Sequence, residues 1–530
     1  MVKIPPSIFN DVIGPVMRGS SSSHVAASYR IGDAVRQSIG GVPAKVVTDF
    51  DAHGSLAANY DGQGADMGFV CGLLGKPLVE PGVEGFARLA HDAGLEFEFR
   101  VLEYGAVHPN NYRIEAVSRD GTARRWQALS VGGGMFEMRE YDGFPVRICG
   151  DFDEVLIKFA DDPDGEKAKD TFARCPEADF TEIVRREGAS LLSLKYSCEL
   201  EENEITAAAQ RYGAPDIAVI RHILPTRSSA GCTAPFLTAE AAMAANSGKG
   251  LPMWRLAVMY EAMRGGSSEE EVLRTMDGLV AVMENSLNEG LRLSGTEYED
   301  KILPPQARLI EPAQKLGKLV PGDVLNEIIA SVAAIMEAKS SMKIIVAAPT
   351  AGSCGCLPGT LIGAARAMKK TREELIRAMF AAGLVGLFIA ESATFAAEIG
   401  GCQVECGAGS GMAAAGLVEL MGGSAVQCCD AAAMALQNVT GLACDAIAKR
   451  VEVPCLGKNI MGASNAVVCA NMALAGFDKV LPLDETIAAL YDVGRQLPPE
   501  LRCTHGGLAK CFTAEKIYVA LEKKKQRKKL

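Results

Sequence analysis

The sequence predicts an α+β protein in which an N-terminal α/β domain is followed by a mostly α-helical domain. Short β-branched runs, KVVTDF (45–50), FEFRVLEY (97–104), NYRIEAVS (111–118) and VRICGDFDEVLIKFA (146–160), are separated by Gly, Asp and Asn, the pattern of strands punctuated by turns. From 181 onward the chain turns to segments rich in Ala, Leu, Met and Glu, at 204–212, 269–293, 324–338, 371–397 and 431–448, which suit helices. Between the two lies an acidic, proline-punctuated stretch, 160–180, with little to bury. The expected organisation is an α/β domain over 1–159, a linker over 160–180, a helical domain over 181–515 and a basic tail over 516–530.

Composition narrows the function. A net charge of -11 repels phosphate backbones, so a nucleic acid partner is not expected. The one basic cluster, Lys523, Lys524, Lys525, Arg527, Lys528 and Lys529, reads as a solvated, frayed end. The opening MVKIPPSIFNDVIGPVM has no charged segment followed by an apolar core, so no secretory signal is read and a cytoplasmic protein is expected. The longest apolar run, 378–390, is shorter than the ~20 residues that cross a bilayer and predicts a buried helix, with no membrane partner.

Sixteen cysteines without an export signal predict thiols or metal ligands, because the cytosol keeps ordinary disulfides reduced. Eleven of them lie between Cys354 and Cys511, where a soft metal is expected. Three stand beside turn or breaker residues: Cys402 after two glycines, Cys444 before Asp445 at the end of a helical stretch, and Cys455 after Pro454. Their spacing matches neither a zinc ribbon nor a compact ferredoxin run, so spacing alone leaves the metal open. Cys71, Cys149, Cys175, Cys198, Cys232, Cys428, Cys429 and Cys469 read as small apolar packing residues.

The segments PTAGSCGCLPG (349–359), GGCQVECGAGSGMAAAGLVELMGG (400–423) and GLACDAIAKRVEVPCLGKN (441–459) resemble the α-chain of bacterial iron-sulfur L-serine dehydratases. GSSSSH (19–24), GSLA (54–57), HPNNYR (108–113) and SVGGG (130–134) are similar to that family's β-chain, in the order of a fused β–α enzyme. The resemblance implies a 4Fe-4S cluster held by Cys402, Cys444 and Cys455 with one iron open to substrate, and a lyase that turns L-serine into pyruvate and ammonia. A tail cysteine occupies the open iron in some members, and Cys503 or Cys511 is the nearest candidate here. A small amino acid is the expected ligand, and a homodimer the expected assembly.

That chemistry needs a Lewis acid for a poor leaving group and a base for a weakly acidic α-proton. Among six histidines, His24 and His108 sit in Ser- and Asn/Pro-marked loops and are the expected base or proton shuttle, ahead of His53 and His505. Ser21, Ser22, Ser23, Asn110, Thr350, Gly352 and Ser353 are the expected substrate contacts, through hydroxyl, amide and backbone N–H groups. SVGGG lacks the Lys-Ser/Thr of a phosphate loop, and GAGSG does not open a strand-helix unit, so neither predicts a nucleotide site.

Four positions depart from the family's common forms: Ser20 for proline, Gln63 for histidine, Lys339 for asparagine and Ser410 for cysteine. Lys339 adds a cation that either anchors a carboxylate or points to solvent. Threonine, cysteine or another β-substituted amino acid is the competing substrate class. A non-catalytic cysteine-metal or redox-sensing protein, and a pyridoxal-phosphate dehydratase, are the rivals from other classes.

Overall fold

The structure is a computed structural model that describes residues 4–200, 207, 212, 216–294 and 301–529; apart from 207 and 212, the helix expected over 204–212 lies outside the described residues. After β1 (Val16–Arg18) come six strands of one sheet: β2 (Lys45–Asp51), β3 (Glu96–Leu102), β4 (Asn111–Val117), β5 (Ala123–Gly132), β6 (Met135–Tyr141) and β7 (Phe144–Ile148). Their order is β3-β2-β4-β5-β6-β7. Only β2 and β3 pair in parallel, which requires a crossover, and the helices Ser55–Asn59, Ala65–Leu74 and Phe86–Asp92 supply it. Burial alternates along β4, as a strand with one face on a core demands.

Two helices of this half pack unusually closely. A Cβ on Gly68 would fall 2.2 Å from the Val25 carbonyl oxygen, and one on Gly72 2.1 Å from that of Tyr29, so only glycine lets the helix Ala65–Leu74 lie against the helix Ala27–Ser38. That contact seats the wide helical turn Ser22–Ala26, which carries His24.

A second, four-stranded sheet follows: β8 (Asp153–Phe159), β9 (Phe180–Arg186), β10 (Ala189–Tyr196) and β11 (Asp216–Ile220), in the order β11-β8-β10-β9 and antiparallel throughout, the strand order of a ferredoxin-like unit. The stretch expected as a linker therefore carries the helix Glu166–Phe172 and the first residue of β9. The Asp162 carboxylate accepts the N–H groups of Lys167 and Ala168, both at 3.1 Å, and the helix buries Ala168 against Val155 and Leu192.

The remaining chain is helical around one large core, with capping boxes at Ser268, Thr371 and Ser424 starting three of the helices. The central helix, Arg372–Ser392, is long and apolar enough to cross a membrane, but 72% of its most apolar window is buried inside the protein, the setting of a core helix. Two expected helices have different bounds. The one over 371–397 stops at Ser392, and the one over 431–448 runs Ala425–Asn438, so Cys444 stands in irregular chain beyond Gly441, whose φ of +90° ends helical continuation. The C-terminal tail, expected to fray, continues the helix Phe512–Lys529, with Tyr518 beneath the Lys449 ammonium at 5.5 Å.

β1 pairs antiparallel with β12 (Ile344–Val346), Val16 facing Val346 and Arg18 facing Ile344. This short sheet stitches the N-terminal segment to the helical half. It brings GSSSSH and PTAGS together, and the Ala351 N–H donates to Ser22 Oγ at 3.1 Å.

Candidate active site and metal centre

Turns and helix starts carry the thiols. Cys402 opens a single turn after Gly401, where φ is +75° and a Cβ would fall 2.7 Å from Leu497 Cδ1. Cys406 begins the helix Cys406–Leu420, and Cys455 begins the helix Cys455–Leu474 behind Pro454. Cys444 is pinned by two backbone bonds, its N–H to the Leu501 carbonyl (2.8 Å) and its carbonyl to the Cys503 N–H (3.0 Å).

All five sulfurs are buried, and Cys402, Cys406, Cys444 and Cys503 form a cluster of their own with Ala397 and Leu442. Cys402 contacts the thiols of Cys406 and Cys444, and Cys444 contacts that of Cys503; these bonds hold the Cys402 thiol down and push Cys406 and Cys444 up. Cys455 lies close enough to Cys402 to feel its charge, although burial is the main cause of its raised pKa. The Sγ atoms of Cys402 and Cys444 and a Glu405 carboxylate oxygen lie within 4.8 Å of one another. Buried soft donors at this separation fit a metal cofactor.

Two cations border the thiols. Lys458 donates to the Ala443 carbonyl (2.6 Å) and to Asp445 Oδ1 (2.7 Å); burial disfavours its charge, but Cys402 and Asp445 outweigh this and raise its pKa. Lys339, which the sequence left between site and solvent, is fully buried, donates to the Val451 carbonyl and lies near enough to pull down Cys455 and Glu405. Burial, and next the charge of Cys402, push the Glu405 carboxyl up to about 8, while the Thr350 hydroxyl donates to its Oε1 at 2.7 Å.

Asn459 joins the PTAGS loop to the thiols. Its Nδ2 donates to the Gly352 carbonyl (2.9 Å), the Cys455 carbonyl (2.8 Å) and Cys406 Sγ (3.4 Å), and its Oδ1 accepts from the Cys356 N–H (2.9 Å). Thr350 and Ser353 cap each other's backbone, and a Cβ on Gly352 would fall 2.8 Å from Glu405 Oε1, so this loop approaches the carboxylate only as glycine.

The opposite wall comes from the N-terminal half. His24 is fully buried; its Nδ1 lies 3.1 Å from Ser21 Oγ, 3.2 Å from Ser23 Oγ and 3.6 Å from Glu398 Oε1. Burial lowers its pKa, with Glu398 opposing. Ser23 Oγ donates to Glu398 Oε1 at 2.7 Å, and the Ser23 carbonyl accepts from Ser130 Oγ at 2.8 Å. Ser130 in turn donates its N–H to the Asn110 carbonyl at 3.1 Å, and the Asn110 N–H donates to His108 Nδ1 at 3.1 Å. His108 is also lowered by burial and raised by Glu398. Among the described residues, His24 Nε2, both side-chain polar atoms of Asn110, and Glu398 Oε2 are buried without a hydrogen-bond partner. Buried polar groups are nearly always bonded, so these atoms have bonding capacity that a ligand or water could take up.

Of the residues expected from sequence, His24, Ser21, Ser22, Ser23, Thr350, Gly352 and Ser353 meet across the two halves. Asn110 and His108 flank them through Ser130, while Cys402, Cys444, Cys455 and Lys339 form the far side. His53 and His505 are exposed, and Cys511 is exposed where Cys503 is buried. Gln63 is buried and its Nε2 lies 3.8 Å from Cys503 Sγ. Sequence reasoning missed Cys406, Glu398, Glu405 and Asn459. Three of these stand within AEIGGCQVEC (397–406), whose acids on either side of Cys402 were the available signal.

The family model described as "Serine dehydratase alpha chain" matches residues 248–509. The probable L-serine dehydratase alpha chain of Bacillus subtilis (strain 168) is 40% identical over 251 residues, 47% of this chain and 83% of that one. The L-serine dehydratase alpha chain of Peptoniphilus asaccharolyticus is 38% identical over 271 residues, 51% of this chain and 92% of that one. The probable L-serine dehydratase beta chain of Bacillus subtilis (strain 168) is 36% identical over 151 residues, 28% of this chain and 67% of that one. The chain belongs to the serine dehydratase family, with β-chain-like and α-chain-like parts in one polypeptide.

Proposed function

We propose that this chain is an L-serine ammonia-lyase, which removes water from L-serine and releases pyruvate and ammonia. The observation that carries the reading is the meeting of buried thiols from the helical half with unpartnered imidazole, amide and carboxylate groups from the two halves. The names of the relatives agree with it. Cys402, Cys444 and Cys455 would hold a 4Fe-4S cluster, with Cys503 buried beside Cys444. When bound, that cluster supplies a Lewis acid for the departing hydroxyl. A homodimeric, cytoplasmic enzyme belongs to the same proposal.

The chain's own residues have distinct tasks. Ser22, whose oxygen accepts from the Ala351 N–H, and Ser353 keep hydroxyl hydrogens for a bound carboxylate, and the buried Lys339 side chain biases the thiol side towards an anionic ligand. Asn110 offers an amide donor and acceptor with no competing protein partner among the described residues. His24, held neutral by burial, is the base for the α-proton, with His108 behind it. The enamine left after loss of water tautomerises and hydrolyses in solution.

The test is anaerobic reconstitution with iron and sulfide, followed by pyruvate release from L-serine, L-threonine and L-cysteine. L-Serine is expected to have the highest kcat/KM. A brown protein with a full iron complement and no turnover of L-serine would reject the assignment. Preference for another member of the panel would keep the elimination chemistry and move the substrate.

A further inference from the structure

Glu398 has no task assigned in the function proposed above, yet it reaches from the helical half into the centre of the serine-histidine wall. It is 6% exposed, in the short helix Ala397–Gly400 that runs into the Cys402 turn. Its charge reaches His24, His108, Tyr112 and Glu405. A buried carboxylate is retained at such a cost only where partners or function compensate.

We infer that Glu398 is a positioning residue which, through Ser23, fixes His24 in the tautomer that leaves Nε2 free to act as the base. The hydroxyl of Ser23 has one hydrogen, and it is donated to Glu398 Oε1 at 2.7 Å. Towards His24 Nδ1, 3.2 Å away, Ser23 Oγ is therefore an acceptor, so Nδ1 carries the ring hydrogen. Ser21 Oγ lies 3.1 Å from Nδ1 and 3.2 Å from Ser23 Oγ; the inferred arrangement directs its proton to Ser23, and the opposite one, with Ser21 donating to Nδ1, is what the tautomer measurement below tests. A neutral imidazole protonated on Nδ1 has its lone pair on Nε2, the ring atom left without a partner among the described residues.

The inference rests on the proposed elimination for its chemical consequence. Nε2 takes the α-proton as the C–H bond breaks, the released pair becomes the Cα–Cβ double bond, and the β-hydroxyl leaves with its bonding pair. The proton accepted by His24 then neutralises the hydroxide, so one water is lost in all. Glu398 touches neither substrate nor leaving group. Its anion stabilises the transient imidazolium through Ser23 and across the 3.6 Å to Nδ1, the task a carboxylate performs behind a histidine base elsewhere.

The experiment has two parts on the full chain. In the first, 15N-histidine-labelled protein, with His24 assigned by comparison with His24→Gln, reports the ring tautomer without any need for turnover. The expected result is hydrogen on Nδ1 in the unsubstituted protein and loss of that preference in Ser23→Ala. In the second, reconstituted Glu398→Gln is expected to keep its iron content, visible absorption and KM for L-serine. Its kcat should fall on the order of 10²-fold, with Glu398→Asp recovering part of the loss. A hydrogen on Nε2 in the unsubstituted protein overturns the inference, as does an unchanged kcat in Glu398→Gln. Loss of iron in that variant would assign Glu398 to support of the thiols and also overturn it. If the unsubstituted enzyme carries a full cluster, holds His24 in the expected tautomer and is inert towards L-serine, the proposed function falls and the tautomer assignment stands.

Discussion

The two walls of the site are built on opposite principles. On the thiol side, Lys458 is bonded to a carbonyl and a carboxylate, Lys339 to a carbonyl, and Asn459 saturates a loop carbonyl, a helix carbonyl and a sulfur. On the N-terminal side, His24 Nε2, Asn110 and Glu398 Oε2 are buried with no partner among the described residues. A wall that holds a resident charged group needs its protein bonds complete beforehand, because the group arrives with its own fixed geometry. A wall that receives a transient ligand keeps bonding capacity in reserve. Under the function proposed above, the thiol wall would hold the resident cofactor, and the serine-histidine wall, completed by Glu398 from the helical half, would handle substrate.

The strongest way to break that assignment is to remove a sulfur. Cys402 contacts two other thiols and lies within 4.8 Å of a Glu405 carboxylate oxygen, so Cys402→Ala is expected to abolish iron binding and take activity below detection. Iron analysis and the visible spectrum check it. Full iron with retained colour would show that the thiol wall does not depend on Cys402.

Next in size is His24→Ala. If the N-terminal wall handles substrate only, the variant keeps iron and colour, and kcat drops on the order of 10²–10⁴-fold, the usual contribution of a positioned base. Loss of iron together with activity would erase the distinction between the walls.

Much of this architecture is legible in residue order, and the exceptions share a cause. Cys402, Cys444 and Cys455 stand out because each follows or precedes a breaker, and the apolar runs announce the core helices. Glu398 and Glu405 look in sequence like any solvated acids near a helix start. Glu398 is buried beneath the serine turn that the β1–β12 pairing holds in place, with Ser23 bonded to it from 375 positions away, and Glu405 meets Thr350 of the loop that follows β12. The helix Glu166–Phe172 was hidden for the same reason: its polar composition promises nothing to bury, and the burial of Ala168 comes from strands that precede and follow it. The tail is likewise helical, with Tyr518 against Lys449, a contact that its own charge run does not foretell.

A smaller effect is expected from Lys458→Met. The change removes the cation bonded to Asp445 and close to Cys402, while leaving every thiol in place. Loss of such a supporting contact typically weakens metal affinity by about 10–100-fold. A chelator competition on the reconstituted protein measures it, and kcat of the fully loaded enzyme should move much less than the affinity. A fall in kcat at full loading would mean that Lys458 also meets substrate.

The smallest and most discriminating effect is on pH. Burial holds the pKa of His24 below the ordinary imidazole value of 6.5, and the Glu398 charge acts in the opposite direction. The imidazole is therefore neutral at pH 7 and loses its free lone pair only as the pH falls through a value below 6.5. The acid limb of kcat/KM should lie there. In Glu398→Gln the opposing charge is gone, so burial acts alone and the limb should move to still lower pH, even as kcat falls. A purely structural role for Glu398 would lower activity and leave the limb where it was. An acid limb above 6.5 in the unsubstituted enzyme would take the base away from His24 and reopen the choice between it and His108.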